Sequence, residues 1–284
     1  LTTDSATKTM PAGTAFSSTV DGTSYQFVTI SDVTASNNGG TVSFDSTQIY
    51  EGTYLTTKFV VDTSDADQRF VLGDNRADTS TLVVKVQTSS TDTTTTTYTK
   101  ATDISQLSST STVYYLQEVD TGRFEIYFGD GVVSRSLSDG NIVILNYVVT
   151  NKTAANGAST FSAPSTIDGV SSITITPVSS AGGGAEPESL ESIKLQAPLD
   201  FASQGRAVTT DDYAVYARKL FPNTQAVSVF GGEDGSFDPS LGVTSTPEYG
   251  KVFISIRSTT GLNLSDAQKS QLVLSLIHIS EPTR

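Results

Sequence analysis

The chain has 284 residues and no cysteine, and 30 acidic against 17 basic side chains leave a formal net charge of −13. Without Cys there is no disulfide framework or thiolate metal site. So acidic a balance also lacks the clustered Lys and Arg that grip nucleic acid or an anionic membrane. No apolar run approaches the roughly 20 residues needed to span a bilayer. The start, Leu1-Thr2-Thr3-Asp4, has no basic region followed by an apolar core, so it is no secretory signal. It also lacks an initiator Met, and the chain is expected to begin inside a longer protein.

Residues 1–180 are rich in Thr, Ser, Val, Gly and Asp, the composition of strands and turns. They predict a mainly β N-terminal part of antiparallel strands, open to division into two subdomains near residues 100–112. Met10-Pro11-Ala12-Gly13-Thr14-Ala15-Phe16 leads into a strand in which Tyr25, Phe27 and Thr29 alternate with Gln26 and Val28. Ser36-Asn37-Asn38-Gly39-Gly40 reads as a turn, followed by strands at 41–44 and 52–61. Asp62 to Asp67 invites comparison with a calcium loop. The EF-hand spacing and its glycine are missing, which leaves a solvated acidic loop. Strands follow at 68–72 and 82–87.

The run Thr88 to Thr99 is low in complexity. Branched Cβ atoms disfavour a helix there, and no regular repeat supports an ice-binding or glycan-binding face, so an edge strand or loop is expected. Tyr114 to Val119 and Arg123 to Phe128 flank Asp120-Thr121-Gly122 as a hairpin. Gly129-Asp130-Gly131 makes the next turn; a P-loop would need Gly-Lys-Ser/Thr running into a helix. Ile142 to Val149 is a continuous apolar strand of the kind buried on both faces. Ser172 to Val178 reads as one more strand, and residues 181–185 as a Gly-rich linker.

From Glu186 the hydrophobic period becomes helical. Leu190, Ile193 and Ala197 fall at i, i+3 and i+7, Pro187 suits a first helical turn, and Pro198 is expected to break or kink the helix. Thr209 or Thr210 caps a second helix, with Asp212 completing a capping box from Thr209. Tyr213, Tyr216, Ala217 and Leu220 give it an apolar face, and Phe221-Pro222 ends it. A strand at 225–230 carries Val227 and Val229 on one face. The polar loop 231–250 leads to a strand at 251–257 with Val252, Ile254 and Ile256, and Ser265 with Gln268 opens a last helix. Residues 186–273 therefore predict a smaller α+β domain. The final stretch, Leu274 to Arg284, matches the translation of a transposon-end adapter used in sequencing libraries. The natural frame is expected to stop near Val273, and His278, the one His of the chain, lies in that tail.

Three stretches carry a resemblance. The order of a Gly-rich run, Glu186-Pro187-Glu188-Ser189-Leu190, then Leu195 to Pro198, then Arg206 to Tyr213 is similar to the baseplate J-like family. The Pro-Ala-Gly-Thr segment at 11–14 resembles that family's N-terminal β-part. Phe124 to Gly131 followed by Leu137 to Val143 resembles the central β-segment of the wedge proteins of contractile-tailed phage baseplates. The resemblance implies a structural virion protein of the tail baseplate, assembled in the host cytoplasm. Its partners would be itself, as a dimer, and other wedge subunits, forming a ring around the tail hub that changes shape as the sheath contracts. Candidate interface residues on the second helix are Tyr213, Tyr216, Leu220 and Phe221.

No catalytic residue, cofactor, metal ligand, small-molecule substrate, nucleic-acid partner or membrane partner is assigned. A Ser hydrolase would need a base, and the one His lies in the suspect tail. A glycosidase pair needs two carboxyls held in a cleft, whereas these acids cluster beside Gly in turns. A β-rich adhesin or glycan-binding module is the alternative reading, and a polysaccharide-degrading tail enzyme a third.

Overall fold

A computed structural model describes residues 6–65, 67–102, 107–119, 122–203, 206–221, 224–232, 249–258, 264, 269–270 and 272–276. The chain divides into two compact units, Leu1–Asn151 with Ser159–Val178, and Lys152–Ala158 with Ser179–Arg284. The first is built from strands; the second contains both helices and a two-stranded sheet, in keeping with a mainly β chain ending in a smaller α+β region.

In the first unit, β1 (Thr7–Met10) pairs antiparallel with β4 (Val33–Asn38), which doubles back into β5 (Thr41–Val42). The turn is tighter than its composition suggested. Asn37 and Asn38 belong to the strand, and only Gly39 and Gly40 form the loop, at φ +63° and +87°. Two successive positive φ values make a primed hairpin turn that matches strand twist. A second small sheet orders β2 (Ala15–Val20), β3 (Thr23–Val28) and β6 (Tyr50–Glu51). Phe27 packs edge-on to Phe161 across it, with ring centroids 5.0 Å apart.

The main sheet has seven strands. Its sequence elements are β7 (Thr53–Val60), β8 (Phe70–Val71), β9 (Ala77–Gln87), β10 (Thr95–Lys100), β11 (Val113–Glu118), β12 (Phe124–Phe128) and β13 (Ile142–Val149). Their spatial order is β7-β13-β9-β10-β11-β12-β8. β13 lies between β7 and β9; Val143, Leu145 and Tyr147 on one face are almost completely buried, while Ile142, Ile144 and Asn146 on the other are half-buried, so the expected burial reaches the second face only at Val148. Leu72, Val84, Tyr114 and Ile126 complete this core.

Two expectations need correction here. The Thr-rich run does not form an edge. β10 lies between β9 and β11: Thr95–Tyr98 pair antiparallel with β9, Thr99 and Lys100 pair in parallel with β11, and Tyr98 is its one buried side chain. Tyr98 meets Phe128 edge-to-face at 5.3 Å, so one aromatic anchor outweighs the polarity of its neighbours. Residues 172–178 form no strand: Ile173 and Ile175 are half-covered, but no neighbouring strand ladders with them.

The second unit holds α1 (Leu190–Ser203), α2 (Thr210–Leu220), β14 (Thr224–Gly231) and β15 (Val252–Ser258), with further helical residues at 269–270 and 272–276. Pro198 does not break α1, which runs on through it. Proline removes one helical hydrogen bond, to the carbonyl of Lys194; Lys194 is exposed, so water can take its place. β14 and β15 pair antiparallel. Val227, Ile254 and Ile256 pack on a core of Ala207, Tyr216, Ala217, Phe221, Leu272 and Leu276. Leu276 falls within the stretch expected to be foreign and is nonetheless buried.

The Gly-rich run is pinned to residues 152–158. Asn156 Nδ2 donates to Gly184 O at 2.9 Å and its Oδ1 accepts from Gly184 N at 3.1 Å. Gly157 N donates to Ala181 O, Ala181 N donates to Ala158 O, and Lys152 pairs with Glu186 at 2.6 Å. Several sequence expectations lie outside the described residues: Ala66 of the acidic loop, Asp120 and Thr121 of the hairpin, Pro222, loop residues 233–248, the Ser265 and Gln268 cap, and His278 with residues 277–284.

Candidate assembly surface

α2 forms as its sequence dictates. Thr209 is the N-cap: its Oγ1 accepts from Asp212 N at 3.3 Å, while the Asp212 carboxylate accepts from Thr209 N at 2.8 Å and Val208 N at 3.0 Å. Those backbone N–H groups hold the Asp212 carboxyl below the usual carboxylate range. The acids Asp211 and Asp212 open the helix and the bases Arg218 and Lys219 close it, each complementing the helix dipole. Of the four candidate interface residues, Tyr216 and Phe221 are buried in the unit's core, and Tyr213 and Leu220 are half-buried against it. The structure brings all four together, and it brings them inward.

α1 is arranged the other way. The side chains it turns toward its own unit are polar: Ser192, Gln196 and Asp200 are half-buried and Ser203 is buried, at i, i+4, i+8 and i+11. Asp200 holds Lys219 of α2 through both oxygens at 3.2 Å, and Ser203 Oγ lies 3.4 Å from Tyr216 Oη. The large apolar side chains face water: Leu190 is 65% exposed, Ile193 43%, Leu195 69%, Leu199 46% and Phe201 84%. The helical stripe Leu190, Ile193 and Ala197 is therefore on the outward face. Helices apolar on several sides are ordinarily covered on several sides, and monomers seldom leave contiguous apolar patches beyond a few hundred Å² open. Sequence periodicity found the stripe and could not say which way it points. The available signal was the spacing of Ser192, Gln196, Asp200 and Ser203, a polar stripe with a helical period of its own.

A half-buried aromatic cluster lies on the main sheet. Tyr115 and Tyr127 are cross-strand partners whose rings stack 5.1 Å apart at 18°. The guanidinium of Arg69 sits 4.4 Å over Tyr127, and Gln117 Nε2 donates to Glu125. Tyr and Arg are the side chains that dominate binding energy at protein interfaces, but here they are occupied with one another. Among the described residues no group of three or more His, Asp or Glu could hold a metal ion. No helix among them is long and apolar enough to cross a membrane. Two clefts among the described residues are open and polar-rimmed, one lined by Phe16, Ser17, Tyr25, Gln26 and Ser162, and neither carries a catalytic grouping.

Two segments of the chain match families of known proteins. Residues 57–160, which take in nearly all of the seven-stranded sheet, match the family described as bacteriophage baseplate wedge protein gp6, third domain. Residues 209–279, beginning at the N-cap of α2, match baseplate structural protein gp6, C-terminal domain I. These matches support a structural role in a phage tail baseplate. The particular relative is the baseplate wedge protein gp6 of Enterobacteria phage T4, 26% identical over 290 residues that cover 93% of this chain. The chain spans 41% of the length of that protein. α1 lies between the two family-matched segments.

Proposed function

We propose that this chain is part of a baseplate wedge subunit that works without catalysis. It associates with a second copy of itself and with other wedge subunits in a ring around the tail hub, and the ring repacks when the sheath contracts. The J-like resemblance of residues 186–213 belongs to this reading, as do assembly in the host cytoplasm and a foreign tail after Val273. One observation carries it: two separate segments match, in chain order, two domains of the same wedge protein. A ring that changes shape needs interfaces with two nearly balanced packings. α2 supplies the support, with Tyr213 and Leu220 at its half-buried margin and Tyr216 and Phe221 beneath them.

The test is co-expression of the complete reading frame with the neighbouring tail genes, followed by affinity purification and electron microscopy. Stable complexes with other tail proteins are expected, with density for this chain in the baseplate. A chain that stays monomeric beside every tail neighbour while turning over a polysaccharide would end the proposal. Calcium-dependent thermal stabilisation would favour the adhesin alternative instead.

A further inference from the structure

The chain crosses between its two units three times, after Asn151, Ala158 and Val178. Asn151 is fixed in the first unit, where the Glu51 carboxylate accepts from its N at 2.8 Å and its Nδ2 at 2.7 Å. Residues 152–158 then belong to the second unit, and residues 159–178 return to the first. There Ser162 exchanges two backbone hydrogen bonds with Ser17, Phe161 packs edge-on to Phe27, and Asp168 accepts from Thr9 N at 3.1 Å. Residues 171–180 follow, exposed except at Ile173 and Ile175 and part of no sheet. Beyond them, Ala181, Gly184 and Glu186 rejoin residues 152–158.

We propose that residues 152–158 and 181–186 form a latch. Closed, it mounts the α+β unit one peptide bond from Asn151. Open, it leaves that unit on a flexible tether of residues 171–189. This goes beyond the wedge reading and does not require it.

The closure is built to be reversible. Its contacts are polar: the two bonds between Asn156 and Gly184, the backbone bonds that Ala181 makes with Gly157 and Ala158, and the Lys152–Glu186 pair. The fully buried apolar groups of residues 152–158 are only the methyls of Ala155 and Ala158. Segments with few buried apolar contacts open at a lower free energy than core strands. Closure also holds Lys152 at φ +60°, a left-handed conformation that its Cβ disfavours and that opening relieves. A glycine is required as well: a Cβ at Gly184 would overlap the carbonyl oxygen of Lys152.

The position of the tether agrees. Residues 171–189 lie between the segments 57–160 and 209–279, which match two separate wedge-protein domains. Fully extended, they would span roughly 60–70 Å, against one peptide bond in the closed form. A partner that binds the released unit more tightly shifts the latch by that difference in affinity.

Because the chain contains no cysteine, Thr96→Cys on β10 and Leu195→Cys on α1, both exposed, can carry a pair of spin labels. Pulsed electron paramagnetic resonance then reads the distance distribution in the full chain. The labelled parent is expected to give a narrow distribution. Gly184→Ala should broaden it and quicken cleavage after Glu186 and Glu188 by a glutamate-specific protease. Asn156→Ala, which introduces no overlap, should move both readouts the same way, with cleavage faster by on the order of 10-fold for the two lost hydrogen bonds. Far-UV circular dichroism should be unchanged in both variants.

A parent already as broad as its Gly184→Ala variant, or folded variants with the parent's distribution and cleavage rate, would overturn the proposal. If Gly184→Ala fails to fold, Asn156→Ala decides alone. A latch that opens in a chain that ignores every tail protein keeps this inference and removes the wedge reading. A chain that joins tail complexes while both variants keep the parent's distribution removes the latch and leaves the wedge reading standing.

Discussion

Gly52 lies so close to Val149 that a Cβ on the glycine would overlap the carbonyl oxygen of Val149 and the Val148 side chain. Its φ of +127° is open to glycine and strained for other residues. The contact closes the junction where β6 passes into β7 beside the end of β13, and Gly52 N also donates to Gln26 O at 2.9 Å. Glu51, one residue earlier, accepts from Thr150 Oγ1, Asn151 N and Asn151 Nδ2. Gly52→Ala is therefore expected to destabilise the first unit by about 3 kcal/mol or more, through strain and overlap together. Chemical denaturation of the variant measures it, and a change below 1 kcal/mol would mean the junction can relax.

The Thr209–Asp212 capping box makes stability depend on pH with a definite sign. Asp212 has a lower pKa folded than unfolded, because backbone N–H groups at Thr209 and Val208 bind its charged form. Its contribution is fully present above the ordinary carboxylate pKa and is lost as pH falls through the depressed folded value. Thermal unfolding of wild type and Asp212→Asn should differ at neutral pH and converge in acid. Thr209→Ala should cost about 1 kcal/mol at neutral pH.

Tyr98 carries the Thr-rich strand. Tyr98→Ala is expected to cost about 3–5 kcal/mol, the usual range for deleting a buried aromatic side chain. Thr96→Ala or Thr97→Ala, at exposed positions of the same strand, should stay within about 0.5 kcal/mol. If the threonine variants proved as damaging as the tyrosine variant, the anchoring role would be wrong.

Asn156 fastens Gly184 by two hydrogen bonds. Asn156→Ala should leave both Gly184 groups without that partner and cost about 1–3 kcal/mol. The sharper readout is local: proteolysis and amide exchange across residues 181–186 should quicken, while the main sheet keeps its protection. Unchanged exchange at Gly184 would show that the remaining bonds suffice.

Much of this architecture was legible in the residues. Composition announced strands, and the Thr209–Asp212 spacing placed the N-cap of α2. The largely apolar run at 142–149 marked a strand of the core, and its burial at Val143, Leu145, Tyr147 and Val148 agrees with that. What stayed hidden depended on partners distant in sequence. Thr95–Lys100 looks like an edge because its side chains are polar, yet Thr95–Tyr98 pair with β9 and Thr99 and Lys100 with β11. Pro198 looks like a helix breaker, yet a single lost hydrogen bond at an exposed carbonyl can be tolerated. The spacing of Leu190, Ile193 and Ala197 gives a helix but not the direction in which that stripe faces, and in the structure it faces outward. Tyr115 and Tyr127 fall within the predicted hairpin strands, but their stacking depends on the strand register.

The order of strands in the main sheet bears on how the chain matures. β13 separates β7 from β9, so residues 53–60 and 77–87 find their common neighbour only when residues 142–149 have been synthesised. Pairings so distant in sequence form slowly and leave strand edges uncovered meanwhile. A nascent chain on the ribosome thus carries β7 separated from the rest of its sheet, and translation of one late segment joins the two.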